Sequence, residues 1–357
     1  MTNPPERARA WVDIDLGALV ANARVVAARC GSRLLPMVKA NGYGLGAVEV
    51  ARALAPLEPW GFGVATPDEA GVLRAAGIHL PIVVFTPLTA DTIESTLQVG
   101  ARASIGDLDM LAAWTARSSA PFHLEIDTGM ARAGLRSDDA DAIGAVGALL
   151  RGAPGWEGVF THFHSAGTDS AATATQWVRF QEVIAALPRR PAIVHAANSA
   201  GALAGARYAA DLVRPGIFLY GGAAAGTVAA PVAALRTRVM ARRRIDAGAT
   251  VSYGATWAAI APTTIATLGI GYADGVHRAL GGRGMVELGG RRVPIVGRVT
   301  MDMTMIAAPA DVQIGDVASV YGEDISIDAQ ATAAGTIAYE LLTSLGSRLP
   351  RLYQGSG

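Results

Sequence analysis

Between residues 33 and 216, short apolar runs alternate with amphipathic stretches, and this alternation restricts the fold more than any other feature of the chain. The stretch TPDEAGVLRAAG is typical of the intervening helices, since a threonine cap and a proline at the first helical position open it. Eight β/α units in succession favour an α/β fold with a closed parallel (β/α)8 TIM barrel over an open sheet. The apolar runs predict strands at 34–39, 61–65, 81–85, 101–105, 122–127, 157–163, 192–195 and 211–215.

After residue 235 the pattern changes to β-rich runs broken by glycine and aspartate, such as TTIATLGIGYADGV and VQIGDVASVYG. Such runs predict a second domain that is mostly antiparallel β. We expect the barrel to span residues 1–232 and the β-rich C-terminal domain residues 233–357. The first strand, at about 11–15, is expected to join the C-terminal domain. A last helix is predicted over DAQATAAGTIAYELLTSL, residues 328–345.

Charge and composition exclude several classes of function. Thirty basic residues balance thirty acidic ones and are spread along the chain, which argues against a nucleic-acid-binding protein. The N-terminal MTNPPERARAWVDID lacks the apolar core of a signal peptide, and no apolar run approaches the length of a membrane span. A lone cysteine, Cys30, and the lack of a CxxC or histidine-rich cluster predict a cytoplasmic protein with neither disulfide nor metal site.

Lys39 is the only lysine among the 30 basic residues of the chain. Arginine and lysine are interchangeable on a solvated surface, but arginine cannot replace a titratable amine. Lys39 ends the first predicted strand, and barrel enzymes carry their reactive groups at the C-terminal ends of the strands. A lysine desolvated in this position is suited to forming a Schiff base. The alternative, a lysine that extends to the rim, is less consistent with its being the sole lysine.

Other reactive side chains follow the later strands and are expected to converge with Lys39 on one mouth of the barrel. The glycine-rich ANGYGLG directly after Lys39 is either a flexible phosphate-binding turn or a plain βα turn. Free N–H groups around Ser199 and after the eighth strand predict an anion site, because barrels often bind phosphate there. The converging side chains are Glu125, Asp127, His162, His164, His195, Asn198, Ser199 and Arg214.

These residues lie in motifs that resemble the alanine racemases, pyridoxal-phosphate enzymes with an N-terminal barrel and a C-terminal β-domain. The resemblance extends essentially from end to end of the chain. The motifs that carry it are WVDIDLGAL, VKANGYGLG, DTGMARAG, THF, HAANSA, VRPGIFLYG, VSYGATW, GYADG, PIVGRVTMD, TIAYELL and RLPRLY.

The resemblance implies an enzyme that interconverts L-alanine and D-alanine and supplies D-alanine for cell-wall peptidoglycan. Lys39 would carry pyridoxal phosphate as a Schiff base, and Arg214, paired with His162, would face the pyridine nitrogen. A guanidinium can only donate to that nitrogen, so the ring would be a weaker electron sink than a pyridinium. The resemblance implies that the phosphate is held by Tyr43, Ser199, Gly216, Ile217 and Tyr353.

Racemisation requires acid/base groups on opposite faces of the substrate Cα. By resemblance, Lys39 would serve the D-enantiomer, and Tyr253 would serve the L-enantiomer from the partner subunit of a head-to-tail homodimer with shared active sites. The other implied site residues have binding and supporting roles. Arg132 and Met301 would contact the substrate carboxylate, Tyr272 would line the entry route, and Asp302 would support the site.

Two positions depart from the family pattern. Thr300 stands where a cysteine is common, and Glu125 stands where many members carry a carbamylated lysine. Strand alternation puts Glu125 on one face with Asp127, seven residues before Arg132. We expect Glu125 to replace the carbamate and to orient Arg132; the alternative is an unrelated ion pair within the barrel.

Three other functions remain compatible with parts of the sequence. An amino-acid decarboxylase of the same barrel family would carry an acidic partner for the pyridine nitrogen, where this chain has Arg214. A non-enzymatic pyridoxal-phosphate-binding protein would consist of the barrel alone, whereas this chain has a second domain that contains Tyr253. A racemase of serine or of broader specificity is also compatible, because one small group in a pocket changes binding by only about 1–3 kcal/mol.

Overall fold

The computed structural model describes residues 8–355, which form nineteen strands and eleven α-helices. The strands are β1 (Ala10–Asp15), β2 (Arg33–Leu34), β3 (Phe62–Val64), β4 (Ile82–Pro87), β5 (Arg102–Ile105), β6 (Phe122–Asp127), β7 (Leu135–Arg136), β8 (Trp156–Phe160), β9 (Ile193–Asn198), β10 (Leu212–Arg214), β11 (Ala233–Ile245), β12 (Thr250–Val251), β13 (Trp257–Ala258), β14 (Thr263–Leu268), β15 (Met285–Leu288), β16 (Arg291–Pro294), β17 (Thr304–Ala308), β18 (Val317–Tyr321) and β19 (Arg351–Gln354). The helices are α1 (Leu16–Cys30), α2 (Lys39–Tyr43), α3 (Ala47–Leu54), α4 (Pro67–Ala75), α5 (Ile93–Gln98), α6 (Leu108–Arg117), α7 (Ala140–Leu150), α8 (Ser170–Ala186), α9 (Ser199–Leu203), α10 (Ile327–Ala334) and α11 (Ala338–Thr343). None of the helices within residues 8–355 is long and apolar enough to cross a membrane.

Eight parallel strands close into the predicted barrel. Their order is β2, β10, β9, β8, β6, β5, β4 and β3, and a parallel bridge between Met37 and Gly63 joins the two ends of this series. Helix α4 confirms the predicted capping, since the Thr66 side chain accepts from the Glu69 N–H and Pro67 is the first helical residue. The predicted barrel is therefore confirmed, and the C-terminal ends of its strands form one mouth.

The first barrel strand is shorter than the sequence predicts. The apolar run predicts a strand over 34–39, but the regular strand β2 ends at Leu34. Beyond it, the N–H groups of Leu35 and Met37 still donate to the Val213 and Pro215 carbonyls beside β10, and Met37 forms a bridge with Gly63 of β3. Pro36 lacks an N–H to donate to the ladder, which accounts for the interruption. Consequently Lys39 does not end a strand but begins the short helix α2, directly at the barrel mouth.

The second sheet confirms the mostly β character of the C-terminal part. Its strands follow the order β16, β15, β18, β11, β1 and β19, with β14 and β17 attached beside β11. Strand β1, at the position where the sequence predicts a strand over 11–15, pairs antiparallel with β11 and parallel with β19. The division of the chain into two domains after residue 232 stays a prediction. The two ends of the chain, residues 1–7 and 356–357, lie outside the described residues.

The single helix predicted over residues 328–345 is wrong, because the structure contains two helices there. Helix α10 ends at Ala334, and Gly335 adopts a left-handed conformation with φ of 74° that directs the chain away from the helix axis. Helix α11 then begins at Ala338. The glycine inside the apolar pattern is a C-terminal cap, which periodicity alone does not distinguish from a tolerated interior glycine.

Helix α11 packs against the turn that follows Lys39. Gly44, in this turn, has a left-handed φ of 82°, and a Cβ atom on it would collide with the backbone carbonyl oxygen of Leu342. Arg351 spans the same junction, because its Nε donates to the Gly44 carbonyl at 2.7 Å. The barrel mouth and the C-terminal domain are thus joined at Gly44.

We expect Gly44→Ala to lower the free energy of unfolding by about 2–4 kcal/mol, because it adds left-handed strain and a backbone collision. The matched control is Gly31→Ala, where φ is 68° and no other atom lies within 4 Å of the added Cβ. The control should lose only about 1 kcal/mol. Chemical denaturation measures both losses, and equal losses would show that the contact with Leu342 is unimportant.

Candidate active site

The turn after Lys39 holds a run of left-handed residues. Ala40, Asn41, Gly42, Tyr43 and Gly44 all have positive φ angles, between 51° and 82°. This conformation costs roughly 1–2 kcal/mol for each residue that is not glycine, so it persists only where surrounding contacts enforce it. Such enforced strain is typical of functional sites and presents Lys39 at a fixed position.

Two side chains enforce this turn. The Glu69 carboxylate accepts from the Ala40 N–H at 2.6 Å and from the Ala65 N–H at 2.7 Å. Asn41 Oδ1 accepts from the Ala47 N–H at 3.0 Å. Glu69 therefore ties the lysine turn to the end of β3, a role that the sequence analysis did not assign to it.

The environment of Lys39 favours its neutral amine. Burial lowers the pKa of Lys39 most, the charge of Arg132 lowers it further, and Glu69 partly opposes them. A lysine with a lowered pKa is a better nucleophile at neutral pH. The only lysine of the sequence is therefore electrostatically prepared for covalent chemistry.

Three of the predicted phosphate-binding residues come together at the mouth. Ser199 Oγ accepts from the Gly216 N–H at 2.9 Å. A Cβ atom on Gly216 would collide with the Tyr43 hydroxyl, so only glycine leaves room there. The ring of Tyr43 stacks on Tyr220 with centroids 4.4 Å apart. Ile217, a fourth predicted residue, is buried and directly follows Gly216.

Tyr353, the fifth predicted phosphate-binding residue, has its hydroxyl engaged elsewhere. It donates to the Leu45 carbonyl at 2.9 Å. Tyr339, which the sequence analysis did not single out, lies beside Tyr43, with its ring centroid 6.0 Å from that of Tyr43. Its position within the quoted motif TIAYELL was the only available signal, because an isolated tyrosine after a glycine cap has no distinctive spacing.

Arg214 is buried at the mouth and is held by acceptors from several strands. Its guanidinium donates to the Thr161 and Ala196 carbonyls at 2.7 and 2.9 Å and to His195 Nδ1 at 2.8 Å. Burial lowers the pKa of Arg214 to about 9, which still leaves it charged at neutral pH. Within residues 8–355, no carboxylate forms an ion pair with this guanidinium.

His162 lies beside Arg214, with Nδ1 at 3.3 Å from an Nη atom of the guanidinium. Burial, followed by the charge of Arg214, lowers the pKa of His162 to about 3. His162 is therefore neutral, and Nδ1 must accept because arginine only donates. His164, also among the strand-end residues, is exposed and bonds to Ser165 instead.

Arg132 stands on a loop organised by Asp127. The Asp127 carboxylate accepts from the Gly129 N–H at 2.8 Å and from the Ala131 N–H at 3.1 Å. Arg132 is exposed, and its charge lowers the pKa of both Lys39 and His162. Its guanidinium therefore belongs to the same electrostatic site as Lys39.

Glu125 is buried at the end of β6, and its Oε2 atom has no hydrogen-bond partner among residues 8–355. Burial raises the pKa of Glu125 to about 6, while the charges of Arg132 and Arg214 oppose this rise. The carboxyl is thus close enough to both arginines to interact with their charges. The structure contains no direct Glu125–Arg132 ion pair within the described residues, so the orienting role remains a prediction.

The predicted site residues of the C-terminal domain lie on an exposed face. Tyr253 is 73% exposed and Met301 is 54% exposed. Tyr272 and Asp302 are also substantially exposed. Tyr253 lines an open cavity of 510 Å³ on this face, between β12, β14 and β17.

Thr300, which stands in place of the common cysteine, closes a turn beside this cavity. Its side-chain hydroxyl donates to the Met303 carbonyl at 2.9 Å and accepts from the Met303 N–H at 3.2 Å. The Tyr272 N–H donates to the Thr300 carbonyl at 3.0 Å. The segments that carry Tyr272 and Met301 are therefore joined by a backbone hydrogen bond.

Comparison with known proteins gives matches over nearly the whole chain. Residues 14–224 match the family model of the alanine racemase N-terminal domain, and residues 232–353 match that of the C-terminal domain. The alanine racemase of Deinococcus radiodurans is 40% identical, over 96% of this chain and 98% of the relative. Alanine racemase 2 of Bacillus subtilis is 35% identical, over 97% and 95%.

Solved structures give the same result. The alanine racemase from D-cycloserine-producing Streptomyces lavendulae has a TM-score of 0.91 at 32% identity and covers 98% of both chains. The alanine racemase from Bartonella henselae, crystallised with covalently bound pyridoxal phosphate, has a TM-score of 0.90 at 32% identity. That match covers 97% of this chain and 100% of the other.

We expect Glu125→Gln to stabilise the ligand-free protein above pH 6. The pKa of Glu125 in the folded protein is about 6, above the ordinary value of 4.5, so folding stability falls as the pH rises from 4.5 to 6. The variant lacks this loss and should gain about 2 kcal/mol at alkaline pH but nothing below pH 4.5.

Chemical denaturation across this pH range measures the difference. The exposed Glu182→Gln is the matched control and should leave stability unchanged at every pH. A Glu125→Gln variant that is less stable than wild type at alkaline pH would show that the ionised carboxylate stabilises the fold.

Proposed function

The chain belongs to the alanine racemase family, and on that premise we propose that it interconverts L-alanine and D-alanine with pyridoxal phosphate held on Lys39. The observation that carries the proposal is the position of the only lysine in the sequence, which the left-handed turn held by Glu69 fixes at the barrel mouth. Burial also lowers the pKa of Lys39, which favours the nucleophilic form of the amine that would hold the cofactor. The D-alanine produced would supply cell-wall peptidoglycan synthesis.

The residues at the mouth fit this cofactor on two sides. Ser199, Gly216 and Tyr43 form a close cradle of hydrogen-bonding groups for a phosphate, and Gly216 leaves the space that a Cβ would fill. Arg214 offers a donor for a ring nitrogen, because its Nε takes no acceptor within the described residues. When bound, pyridoxal phosphate supplies the electron sink that makes the substrate Cα proton removable.

Arg214 would donate a hydrogen bond to the ring nitrogen without protonating it. The guanidinium remains charged at neutral pH and can only donate. His162 accepts from the same guanidinium and is neutral, so it cannot supply a proton to the ring either. This pair would limit charge delocalisation into the ring and thereby disfavour transamination.

Proton transfer at Cα requires one group on each face of the substrate. Lys39 would act on the D-enantiomer and Tyr253 of the partner subunit on the L-enantiomer. The exposure of Tyr253, Met301 and Tyr272 supports a homodimer, because a partner barrel mouth would cover these large side chains. Arg132 and Met301 would bind the substrate carboxylate, with Tyr272 at the entry route and Asp302 in support.

We further propose that Glu125 takes the place of the carbamylated lysine and orients Arg132. Its buried Oε2, which has no hydrogen-bond partner among residues 8–355, and its electrostatic coupling to Arg132 support this role. Loss of such a charge-assisted interaction costs about 1.5–3 kcal/mol, so Glu125→Gln should lower kcat/KM by about tenfold to a hundredfold. The same variant would then gain stability and lose activity.

Cellular location and substrate specificity complete the proposed function. A cytoplasmic location agrees with the single buried cysteine, Cys30, which forms no disulfide within the chain. Alanine specificity is assigned from the family, and a panel of L-amino acids would separate it from serine or broader specificity.

Lys39 should be the only residue that binds pyridoxal phosphate covalently, because it is the only side-chain amine. Borohydride reduction of the loaded protein followed by peptide mapping should give one pyridoxyl-lysine peptide. Lys39→Ala should retain the fold but lose at least about a thousandfold in activity. A loaded, active protein with no trapped peptide would refute the covalent role of Lys39.

A mixture of Lys39→Ala and Tyr253→Phe chains should regain activity that neither variant has alone. Random exchange makes half of the dimers hybrid, and each hybrid has one intact site of two, so about one quarter of wild-type activity should return. Subunit exchange is verified separately with tagged chains. Complete exchange without recovered activity would show that the two residues do not meet across an interface.

A further inference from the structure

Four polar side chains form a continuous chain of hydrogen bonds through the barrel interior. Arg214 contacts His195 Nδ1 at 2.8 Å, and His195 Nε2 contacts His123 Nδ1 at 2.8 Å. His123 Nε2 then contacts Glu157 Oε2 at 3.1 Å. Arg214 ends β10 at the mouth, whereas His123 and Glu157 lie near the beginnings of β6 and β8, so the chain connects the two ends of the barrel.

The chemistry of the two ends fixes the direction of every hydrogen bond. Arg214 can only donate, so His195 accepts at Nδ1 and carries its proton on Nε2. His123 must then accept at Nδ1 and carry its proton on Nε2, which donates to the Glu157 carboxylate. The Glu157 carboxylate, an acceptor, therefore requires the same tautomers of His123 and His195 as the Arg214 guanidinium, a donor.

Burial and packing keep both imidazoles neutral and in place. His195 and His123 are fully buried, and burial is the largest cause of the lowered pKa of each. The ring of Phe160 stacks on His195 at 5.0 Å. A Cβ atom on Gly158 would lie 2.8 Å from the His123 ring, so the glycine provides the space for this imidazole.

Glu157 is anchored at the far end by a second partner. Arg102 Nε donates to the same Oε2 atom at 3.1 Å. Burial raises the pKa of Glu157, but the hydrogen bonds from His123 and Arg102 together outweigh this effect and lower it. The carboxylate therefore stays ionised and remains an acceptor for His123.

We propose that His195, His123 and Glu157 are positioning residues that hold the Arg214 guanidinium in its orientation at the barrel mouth. The inference rests on the proposed function, in which Arg214 faces the ring nitrogen of pyridoxal phosphate. If His195 carried its proton on Nδ1, two donors would face each other and the guanidinium would have to turn. Hydrogen bonds along such a chain also polarise one another, so the Glu157 charge strengthens His195 as an acceptor.

The tautomers provide the first test, and their readout does not depend on activity. Nitrogen-15 spectra of the histidine-labelled, cofactor-loaded protein report which ring nitrogen carries each proton, and His123→Asn and His195→Asn assign the two residues. Both should carry the proton on Nε2 alone. A proton on Nδ1 of either ring, or a doubly protonated ring, would overturn the proposal.

Two substitutions at His123 provide the second test. His123→Phe keeps a ring in the space beside Gly158 but removes the acceptor for His195, whereas His123→Asn supplies an amide oxygen that can replace Nδ1. The phenylalanine variant should lose about tenfold in kcat with an unchanged KM for alanine, because one lost hydrogen bond behind Arg214 affects the chemical step and not the binding of substrate. The asparagine variant should stay within about threefold of wild type.

The visible absorbance of bound pyridoxal phosphate should change in His123→Phe only. Equal effects of both substitutions, or none in His123→Phe, would overturn the proposal. The exposed Glu182→Gln is the control and should leave every readout unchanged. A wild-type protein that binds the cofactor but does not racemise alanine would refute the proposed function, while the tautomers and absorbance would still test the hydrogen-bond chain.

Discussion

The buried charge of Arg214 is the constraint on which most of the site depends. A guanidinium inside a barrel is costly unless several acceptors surround it, and this one has no carboxylate partner within residues 8–355. Two backbone carbonyls and two imidazoles supply the acceptors instead. These hydrogen-bond acceptors are neutral, and the opposing charge at the mouth comes from the nearby Glu125 carboxyl, which forms no ion pair with Arg214 within the described residues.

The lysine turn is a second, independent constraint. Lys39 owes its position to a left-handed segment that Glu69 and Asn41 hold and that docks through Gly44 onto α11 of the C-terminal domain. The position of the Lys39 amine therefore depends on contacts from the C-terminal domain as well as from the barrel. Together, the turn and Arg214 place an amine and a permanent donor in one mouth, which agrees with the proposed function.

The sequence predicted the eight barrel strands and the β-rich C-terminal part, because hydrophobic periodicity and turn residues determine both locally. It also singled out Lys39, Ser199, Gly216, His162 and Arg214, which the structure brings together. Periodicity could not reveal the left-handed turn or the role of Glu69, since both depend on contacts between distant segments. The hydrogen bonds that join His195 to His123 and His123 to Glu157 were missed for the same reason: buried histidines on separate strands have no spacing signal.

The central claim is that Arg214 donates to the cofactor ring nitrogen and leaves it unprotonated. Nitrogen-15 spectroscopy of the protein loaded with pyridoxal phosphate labelled at the ring nitrogen tests this claim directly. We expect the resonance of an unprotonated, hydrogen-bonded pyridine nitrogen, at the same position throughout the neutral pH range. The resonance of a protonated pyridinium nitrogen would contradict it.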